Sequence, residues 1–383
     1  MRNKTLAIIG ASYLQLPLVL KAAEMGIRTL CFAWRDGAVC QSHCSSFFDV
    51  SITEKEHILD ICRKESIDGI CTIASDVAVP TVNYIAHEMG LIGNSLHSGQ
   101  ISTNKFAMRE ALSDAGCSCP PFLKIRTPQD AVRASQILSY PLIIKPCDRS
   151  GSMGVTKVND ESDLFPAAET ALNASFSHEA IIEKHIDIAH EISIEGISWQ
   201  GEYHLLAVTD KVTTGPPHYV EIGQHQPCLL PKEILDVAVR QATEGVKALG
   251  IRYGASHSEL MIDTTGKVYI TEIGSRMGGD FIGSDLVCLS TGYDFLRGVI
   301  EIALGSFSGV HTTLRKHAGV WFYTPNTRGV RDIIEHSADH PFIRRSEIHP
   351  EELKTLTRSA DRAGYFIYQA DKRLDVDITD EGC

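Results

Sequence analysis

Two glutamates in the second half of the chain stand in otherwise apolar, strand-like segments. Glu259 lies in residues 257–263 and Glu272 in residues 267–273, and the turn 264–266 joins the two segments. A buried carboxylate costs free energy unless a cation pairs with it, and two on neighbouring strands repel each other. A divalent cation between them would remove both costs, since it prefers oxygen ligands. The alternative is a pair of surface glutamates, because alternating strands often expose carboxylates on a solvated face.

A fixed cation and two glycines follow this hairpin at once. Arg276 supplies the cation, and Gly278 and Gly279 supply a backbone that a ligand can approach closely. Together with the paired carboxylates, these residues are typical of a Mg-nucleotide site, and on this stretch alone the solvated hairpin remains an equal alternative.

A second phosphate-binding feature lies upstream. The strand predicted over residues 141–146 contains Lys145 and is followed by a loop of small residues, 147–154, and by another short strand. Such a loop can bring backbone N–H groups onto phosphate oxygens, and a lysine is a good point charge for phosphate. The Walker pattern GxxxxGK[ST] is missing. An ordinary glycine-rich hairpin turn is the alternative interpretation.

The bulk properties exclude several classes of partner. The net charge of −12 argues against a nucleic-acid or anionic-membrane partner. No segment has the length and apolarity needed to span a bilayer. The eleven cysteines are scattered, and several lie in apolar runs, which indicates reduced thiols and a cytoplasmic location. Neither Cys40-His43-Cys44 nor Cys117-Cys119 supplies four zinc ligands.

The elements that must position these residues follow from the hydrophobic pattern. Short apolar strands alternate with helices over residues 1–100, which predicts a doubly wound parallel sheet. The first turn lacks GxGxxG, so a dinucleotide site is not expected. Further along, the pattern predicts helices at 103–115, 160–174, 231–249 and 284–304, a helical stretch near 350–359, and strands at 180–185, 191–197, 204–209, 319–323 and 364–369.

Taken together, Lys145 with its loop, Glu183-Lys184 on an apolar strand, and the paired glutamates followed by Arg276 resemble the ATP-grasp superfamily over roughly residues 103–305. Within it the chain looks most similar to carboxylate–amine ligases of the L-amino-acid-ligase kind, alongside the carbamoyl-phosphate-synthetase and biotin-carboxylase relatives. The resemblance implies an α/β fold, namely a pre-ATP-grasp doubly wound parallel sheet (1–102), a two-lobed α+β ATP-grasp domain (103–310, lid subdomain about 119–186) and a small C-terminal α+β domain (311–383).

The resemblance also implies a role for each matching residue. Among the nucleotide residues, the implied roles are phosphate binding for Lys105 and Lys145; a loop over the β- and γ-phosphates for Ser150, Gly151, Ser152 and Gly154; adenine recognition for Glu183, Lys184 and Ile186; ribose binding for Glu191; and a contact with ATP for Lys211. Glu259 and Glu272 would bind Mg²⁺ (or Mn²⁺), and Arg276 would bind the transferring phosphoryl group or the acyl phosphate.

Substrate residues are implied by the same resemblance. Gly278, Gly279 and Asp280 would line the acceptor pocket. The segment 215–227 resembles a ligase substrate loop. Glu221 is a substrate-site candidate in it, and His218 and His225 could orient a substrate carboxylate, with a satisfied loop histidine as the alternative for each histidine. His257 shares the strand face of Glu259 and is interpreted as a hydrogen-bonding neighbour rather than as the base for the amine.

One position departs from the pattern. Relatives often carry E-x-N-x-R, and Gly274 stands here where the asparagine would be, which puts a second Mg²⁺ in doubt. The implied activity is transfer of the γ-phosphoryl group of ATP to a small-molecule carboxylate, followed by attack of an amine on the acyl phosphate, in a possible homodimer. The alternatives are a carboxyphosphate-forming enzyme and a non-catalytic nucleotide-binding protein.

Overall fold

The structure is a computed structural model that describes residues 4–149, 153–215, 218–349 and 353–379. Three sheets organise the described residues, and each carries its own group of helices. Within these ranges, none of the helices has both the length and the apolarity to cross a bilayer.

The first sheet is parallel, with strand order β3-β2-β1-β4. Residues of β1 alternate between two cores: Leu6 and Ile8 pack with α1, whereas Ala7 and Ile9 pack with α2 and α3. Helices therefore cover both faces, which confirms the predicted doubly wound arrangement. The elements are β1 (Thr5–Ile9), α1 (Leu16–Glu24), β2 (Arg28–Ala33), β3 (Ser46–Asp49), α2 (Lys55–Glu65), β4 (Gly69–Cys71), α3 (Val79–Met89) and α4 (Leu96–Ile101).

The second sheet is small and antiparallel, with order β5-β8-β6-β7. One face, with Leu142, Ile144 and Ile182, packs against helices and forms the core of this lobe. Lys145 and Glu183 alternate with these residues and so lie on the opposite face. The elements are α5 (Lys105–Asp114), β5 (Phe122–Ile125), α6 (Pro128–Leu138), β6 (Leu142–Pro146), β7 (Thr156–Val158), α7 (Leu164–Ala174) and β8 (Ala180–Lys184).

The third sheet has eight antiparallel strands in the order β13-β12-β9-β10-β11-β14-β16-β15. The apolar stripe of α8, including Ala238, Ala242 and Val246, packs against one face. The elements are β9 (Ile188–Trp199), β10 (Glu202–Thr213), β11 (Glu221–Gln226), α8 (Lys232–Ala248), β12 (Gly254–Asp263), β13 (Val268–Gly274), α9 (Val287–Thr291), α10 (Phe295–Ala303), β14 (His317–Phe322), α11 (Val330–Glu335), β15 (Ile343–Ile348) and β16 (Gly364–Ala370).

Pairing between β11 and β14 joins the C-terminal strands to this large sheet. The segment 215–227, interpreted from sequence as a loop, therefore contains a strand: β11 forms residues 221–226 of it, between β10 and β14. The pattern missed this strand because its residues Glu221, Gln224 and Gln226 are polar.

Two helix predictions were wrong. The helix expected over 284–304 is interrupted at Gly292, whose φ of 76° is left-handed, so that a π-helical turn (Ile282–Leu286) and α9 precede a separate α10. In the described part of the stretch near 350–359, residues 353–358 are not helical. Asp361 explains this locally, because its carboxylate accepts the backbone N–H groups of Thr357 and Arg358 and so favours a turn.

Candidate active site

The two hairpin glutamates face each other across the strand pair β12–β13. Glu259 and Glu272 are register partners, so their side chains lie on the same face of the sheet. Their side chains are 32% and 26% exposed, and each carboxylate pairs with a lysine. Glu259 lies 2.9 Å from Lys211 Nζ, and Glu272 lies 3.1 Å from Lys105 Nζ. The hairpin is thus a charged wall of a cleft rather than a solvated strand face.

Lys211 on β10 is the counter-charge for a cluster of three carboxylates. Its Nζ lies 3.0 Å from Glu191, 3.2 Å from Glu221 and 2.9 Å from Glu259. Burial by itself would lower the pKa of Lys211, but these three glutamates raise the pKa well above its ordinary value. Lys211 in turn holds the pKa of Glu259 well below its usual range. The pKa of Glu191 is raised by burial, against the attraction of Lys211.

Lys145 on β6 belongs to a second buried network. Its Nζ lies 2.6 Å from Glu183 Oε2, and the guanidinium of Arg109 on α5 donates to Glu183 Oε1 at 2.7 Å and to the Thr271 carbonyl at 2.6 Å. Burial opposes ionisation of Glu183, yet Arg109 and Lys145 together keep its pKa below the usual value. Burial lowers the pKa of Lys145 despite the attraction of Glu183. Arg109 was not predicted, because an arginine on an amphipathic helix is ordinarily exposed.

The placement of Glu183 differs from its interpretation as an acid that reads adenine. Both of its oxygens are already bound by cations, so an adenine amino group would compete with Arg109 and Lys145. Lys184 is also engaged: its Nζ donates to the Ser139 and Tyr140 carbonyls, and its backbone N–H donates to the Pro121 carbonyl.

Arg276 is held by a residue of the first sheet. Its Nε donates to Asp76 Oδ1 at 2.9 Å and its Nη2 donates to Asp76 Oδ2 at 2.8 Å, which is a bidentate pair. Asp76 lies in the loop between β4 and α3. The sequence did carry a signal for it, because loops at the carboxyl ends of parallel strands commonly form binding sites.

His257 connects the hairpin to a buried acid. Its Nδ1 lies 2.6 Å from Glu195 Oε1, and its Nε2 lies 3.3 Å from Glu259 Oε1. Burial would lower the pKa of His257, but Glu195 and Glu259 raise it to about 9. A histidine positioned in this way orients the carboxylate of Glu259, as hydrogen-bonded neighbours of metal ligands commonly do. Glu195, on the fully buried part of β9, was missed by the sequence analysis.

A cavity of about 680 Å³ opens between the small and the large sheets. Its walls include Lys157 and His185 on the side of the small sheet, and Glu191 and Lys211 on the large sheet. This volume is within the range of small-molecule sites, about 300–1,000 Å³. Ile186 lies in the connection between β8 and β9, at the edge where the two sheets meet. The cavity therefore adjoins the charged cleft through Lys211 and Glu191.

The two glycines after the hairpin differ, because Gly278 lies directly on the buried pair of His257 and Glu195 and Gly279 does not. A Cβ at Gly278 would come within 2.8 Å of His257 Nδ1 and 2.9 Å of Glu195 Oε2, so this position requires glycine. At Gly279 a Cβ would make an ordinary contact with Ala74, at 3.5 Å.

The remaining substrate candidates separate into two groups. Glu221 and Asp280 converge on Arg362 of the C-terminal segment, at 3.2 Å and 2.8 Å, and Arg362 was missed by the sequence analysis. His218 is exposed, whereas His225 is buried against Trp321, with its Nδ1 3.0 Å from the hydroxyl of Tyr368. Burial lowers the pKa of His225 well below its ordinary value. His225 is therefore a packed histidine of the sheet.

The phosphate loop is described in part. Ser150, Gly151 and Ser152 lie outside the described residues. Gly154 has a left-handed φ of 72°, and a Cβ there would lie 2.9 Å from the Cβ of Ala174. Lys105 reaches the start of this loop, since its Nζ donates to the Arg149 carbonyl at 2.9 Å. The loop is thereby tied to the charged cleft at its first residues.

The carboxylates of the hairpin suit a magnesium ion. Mg²⁺ is commonly bound by one or two carboxylates together with substrate phosphates and water, and Mn²⁺ also prefers oxygen ligands. Glu259 and Glu272 provide two such carboxylates at register-paired positions. No cluster of three or more His, Cys, Asp or Glu side chains fit to hold a metal occurs in the described ranges. The two carboxylates of Glu259 and Glu272 thus fit a Mg²⁺ ion whose remaining ligands include phosphate oxygens.

Part of the chain, which includes most of this site, matches a known family model. Residues 138–285 match the model of the ATP-grasp domain. The chain is 27% identical over 296 residues to the ATP-grasp enzyme fsqD of Aspergillus fumigatus, covering 70% of this chain and 50% of that protein. It is 25% identical over 245 residues to the alanine--anticapsin ligase of Bacillus subtilis, covering 58% of this chain and 51% of the ligase.

A solved structure has a fold similar to that of this chain. The L-amino acid ligase from Bacillus licheniformis superposes with a TM-score of 0.79 at 24% identity, covering 97% of this chain and 94% of that one. The chain spans about half the length of the two curated relatives named above. The matched segment includes β6 with Lys145, Glu183, Lys211 and both hairpin glutamates. The chain therefore contains an ATP-grasp domain, as the resemblance in its sequence predicted.

Proposed function

We propose that the protein is an ATP-dependent carboxylate–amine ligase that activates a carboxylate as an acyl phosphate, joins it to an amine and releases ADP and phosphate. The observation that carries this proposal is the convergence of four cation–carboxylate pairs on one cleft: Lys105–Glu272, Lys145–Glu183, Lys211–Glu259 and Arg276–Asp76.

These pairs provide what phosphoryl transfer requires. Little covalent chemistry falls to the protein in such reactions, so catalysis consists of positioning and charge stabilisation. Lys105, Lys145 and Arg276 are each oriented by a carboxylate and keep further N–H donors for phosphate oxygens. Glu259 and Glu272 would hold Mg²⁺, which neutralises charge on the phosphate oxygens.

The reaction is balanced without a covalent enzyme intermediate. A substrate carboxylate oxygen attacks the γ-phosphorus of ATP, the bond to the β-phosphate oxygen breaks, and ADP leaves. The amine then attacks the acyl carbon of the acyl phosphate, and inorganic phosphate takes the electron pair of the broken C–O bond. Water must be kept out between the steps, because an acyl phosphate hydrolyses. The loop 147–154 is the element we assign to this closure.

The substrates are proposed to be amino acids or similar small molecules. The names of two similar proteins, an L-amino acid ligase and an alanine--anticapsin ligase, support this class. Arg362 and its two partners, Glu221 and Asp280, place charges of both signs near the glycines that follow the hairpin. Recognition of a zwitterion requires both signs of charge. In the described ranges every cysteine is a free thiol, which favours a reducing compartment such as the cytoplasm.

Release of phosphate from Mg-ATP tests the proposal. The protein is incubated with Mg-ATP and pooled amino acids, and active pools are divided until a carboxylate and an amine are identified. We expect phosphate release that depends on both substrates and equals the amount of ligated product. Mg-ATP binding without substrate-dependent release across the pools would favour a non-catalytic nucleotide-binding protein. Release that depends on bicarbonate would favour the carboxyphosphate-forming alternative.

The matched variant is Glu272→Gln, which keeps the shape of the side chain and removes the charge that Mg²⁺ requires. We expect turnover to be abolished in a protein that still unfolds cooperatively, with a lower thermal midpoint because Lys105 loses its carboxylate partner. Turnover near the wild-type rate in this variant would remove Glu272 from the metal site.

A further inference from the structure

The space beside Gly274 is filled by a side chain from the first sheet. A Cβ at Gly274 would lie 2.7 Å from Asp76 Oδ1, 3.0 Å from Arg276 Cζ and 3.1 Å from Arg276 Nε. The 2.7 Å contact requires a displacement and the other two are tighter than most Cβ contacts, so the present geometry of the Asp76–Arg276 pair excludes a side chain at position 274 unless the Asp76 carboxylate moves. Glycine at position 274 of Glu272-Ile273-Gly274-Ser275-Arg276 thus leaves the space that the carboxylate of Asp76 occupies.

We propose that Asp76 is a positioning residue of the ligase site, which the first domain contributes: it fixes the guanidinium of Arg276 towards the cleft and takes the place that a side chain at position 274 would otherwise occupy. The role of Arg276 in this statement rests on the proposed function. The mutual exclusion of Asp76 and a residue-274 side chain rests on the geometry alone.

The loop that carries Asp76 is fixed to the loop that carries Arg276. The backbone N–H of Ala74 donates to the Met277 carbonyl at 3.1 Å, and Arg276 Nη1 donates to the same carbonyl at 3.4 Å. The side chains of Asp76 and Arg276 are 16% and 14% exposed. A bidentate contact sets the orientation of the guanidinium plane as well as its distance, which an ammonium or a single hydrogen bond would not do. Asp76 therefore acts on Arg276 with the precision that phosphoryl transfer requires.

A comparison of stabilities tests the geometry without any substrate. Gly274→Ala, Asp76→Ala and the double variant are unfolded thermally beside the wild type. We expect Gly274→Ala to lower the midpoint by about 2–4 °C, because its methyl group displaces the pair. In the Asp76→Ala background the same substitution should cost less, since the shortest contact is gone and Arg276 is free to move away. Additive losses in the double variant would overturn the proposal.

Kinetics test the positioning role. For Asp76→Ala we expect kcat to fall by about 10- to 100-fold with the KM for ATP nearly unchanged, because the oriented guanidinium acts on the transferring group. Asp76→Asn, which keeps one acceptor for Arg276, should lose less. A kcat of Asp76→Ala within about twofold of the wild type would overturn the proposal.

Asn94→Ala is the matched control for docking of the first domain. Asn94 accepts the backbone N–H groups of Arg252 and Tyr253 and donates to the Tyr253 carbonyl and, at 3.4 Å, to the Ser275 hydroxyl. Its loss therefore loosens the same domain contact beside Arg276 while the Asp76–Arg276 pair keeps both of its hydrogen bonds. We expect this variant to keep its kcat. An equal loss of kcat in Asn94→Ala would assign the effect of Asp76 to docking and overturn the proposal. If the wild type showed no turnover, the ligase proposal would fail, while the stability comparison would still decide the geometry.

Discussion

Replacement of Lys211 by methionine would remove the counter-charge of three carboxylates and keep most of the apolar stem. Lys211 is 3% exposed, and Glu191, Glu221 and Glu259 are 16%, 24% and 32% exposed. Glu221 keeps a second partner, Arg362, whereas Glu191 loses its charged neighbour of opposite sign on β10. The variant therefore leaves carboxylates close together in a site that water reaches poorly.

The expected loss in the free energy of unfolding is large. Removing one partner of a buried ion pair costs about 3–5 kcal/mol. Because the glutamates are partly exposed, we take the lower end, about 3 kcal/mol. Domains are stable by about 5–15 kcal/mol in total, so the urea midpoint should fall by roughly 1 M or more.

The loss should also depend on pH. In the wild type Lys211 keeps the pKa of Glu259 well below its usual range, so this group contributes stability above its unfolded-state pKa and loses it as the pH falls through the folded-state pKa. In Lys211→Met the carboxylates lack the cation, so their pKa values rise and their ionised forms oppose folding. The stability difference between the two proteins should therefore be smaller at about pH 5 than at about pH 7.5.

Urea unfolding, followed by tryptophan fluorescence at both pH values, measures the stability difference between Lys211→Met and the wild type. The control is Lys232→Met, which breaks the exposed pair with Asp236 on α8 and should leave the midpoint unchanged. A loss below about 1 kcal/mol in Lys211→Met, or a loss equal at the two pH values, would refute the reasoning that Lys211 neutralises a buried acidic cluster.

Two further predictions concern the second network and the thiol beside it. Arg109→Met should lower the free energy of unfolding by about 3–5 kcal/mol, and adding Glu183→Gln should increase the loss in a urea titration, because Lys145 would then be a buried charge without a carboxylate partner. A single-variant cost below about 1 kcal/mol would contradict this. Cys147 is buried, and burial raises its pKa to about 12, so iodoacetamide at about pH 8 should modify the exposed Cys288 well before Cys147, as peptide mass analysis would show. Equal rates at the two thiols would show that Cys147 is accessible.

Local patterns in the chain were enough to predict much of this protein. Uninterrupted apolar runs predicted β1, β2 and β4 of the first sheet but not the edge strand β3, and the stripe on α8 predicted its packed face. The glutamates of the hairpin were found because a carboxylate among apolar residues requires a partner, and the structure provides Lys211 and Lys105 as those partners. Alternation along a strand and spacing along a helix are properties of neighbouring residues, so they can be recognised in the sequence before the fold is known.

Other features depend on residues that are far apart in the chain. Asp76 lies 200 positions before Arg276, and Arg109 lies 74 positions before Glu183, so no local pattern joins them. The polar strand β11 is buried because β10 and β14 flank it, not because of its composition. Gly274 departs from the sequence motif of relatives, and the fold explains it, because the carboxylate of Asp76 occupies the space beside it. The sequence by itself determined which side chains needed a charged partner; the tertiary structure decided which partner each one has, because pairing depends on distance after folding rather than on separation along the chain.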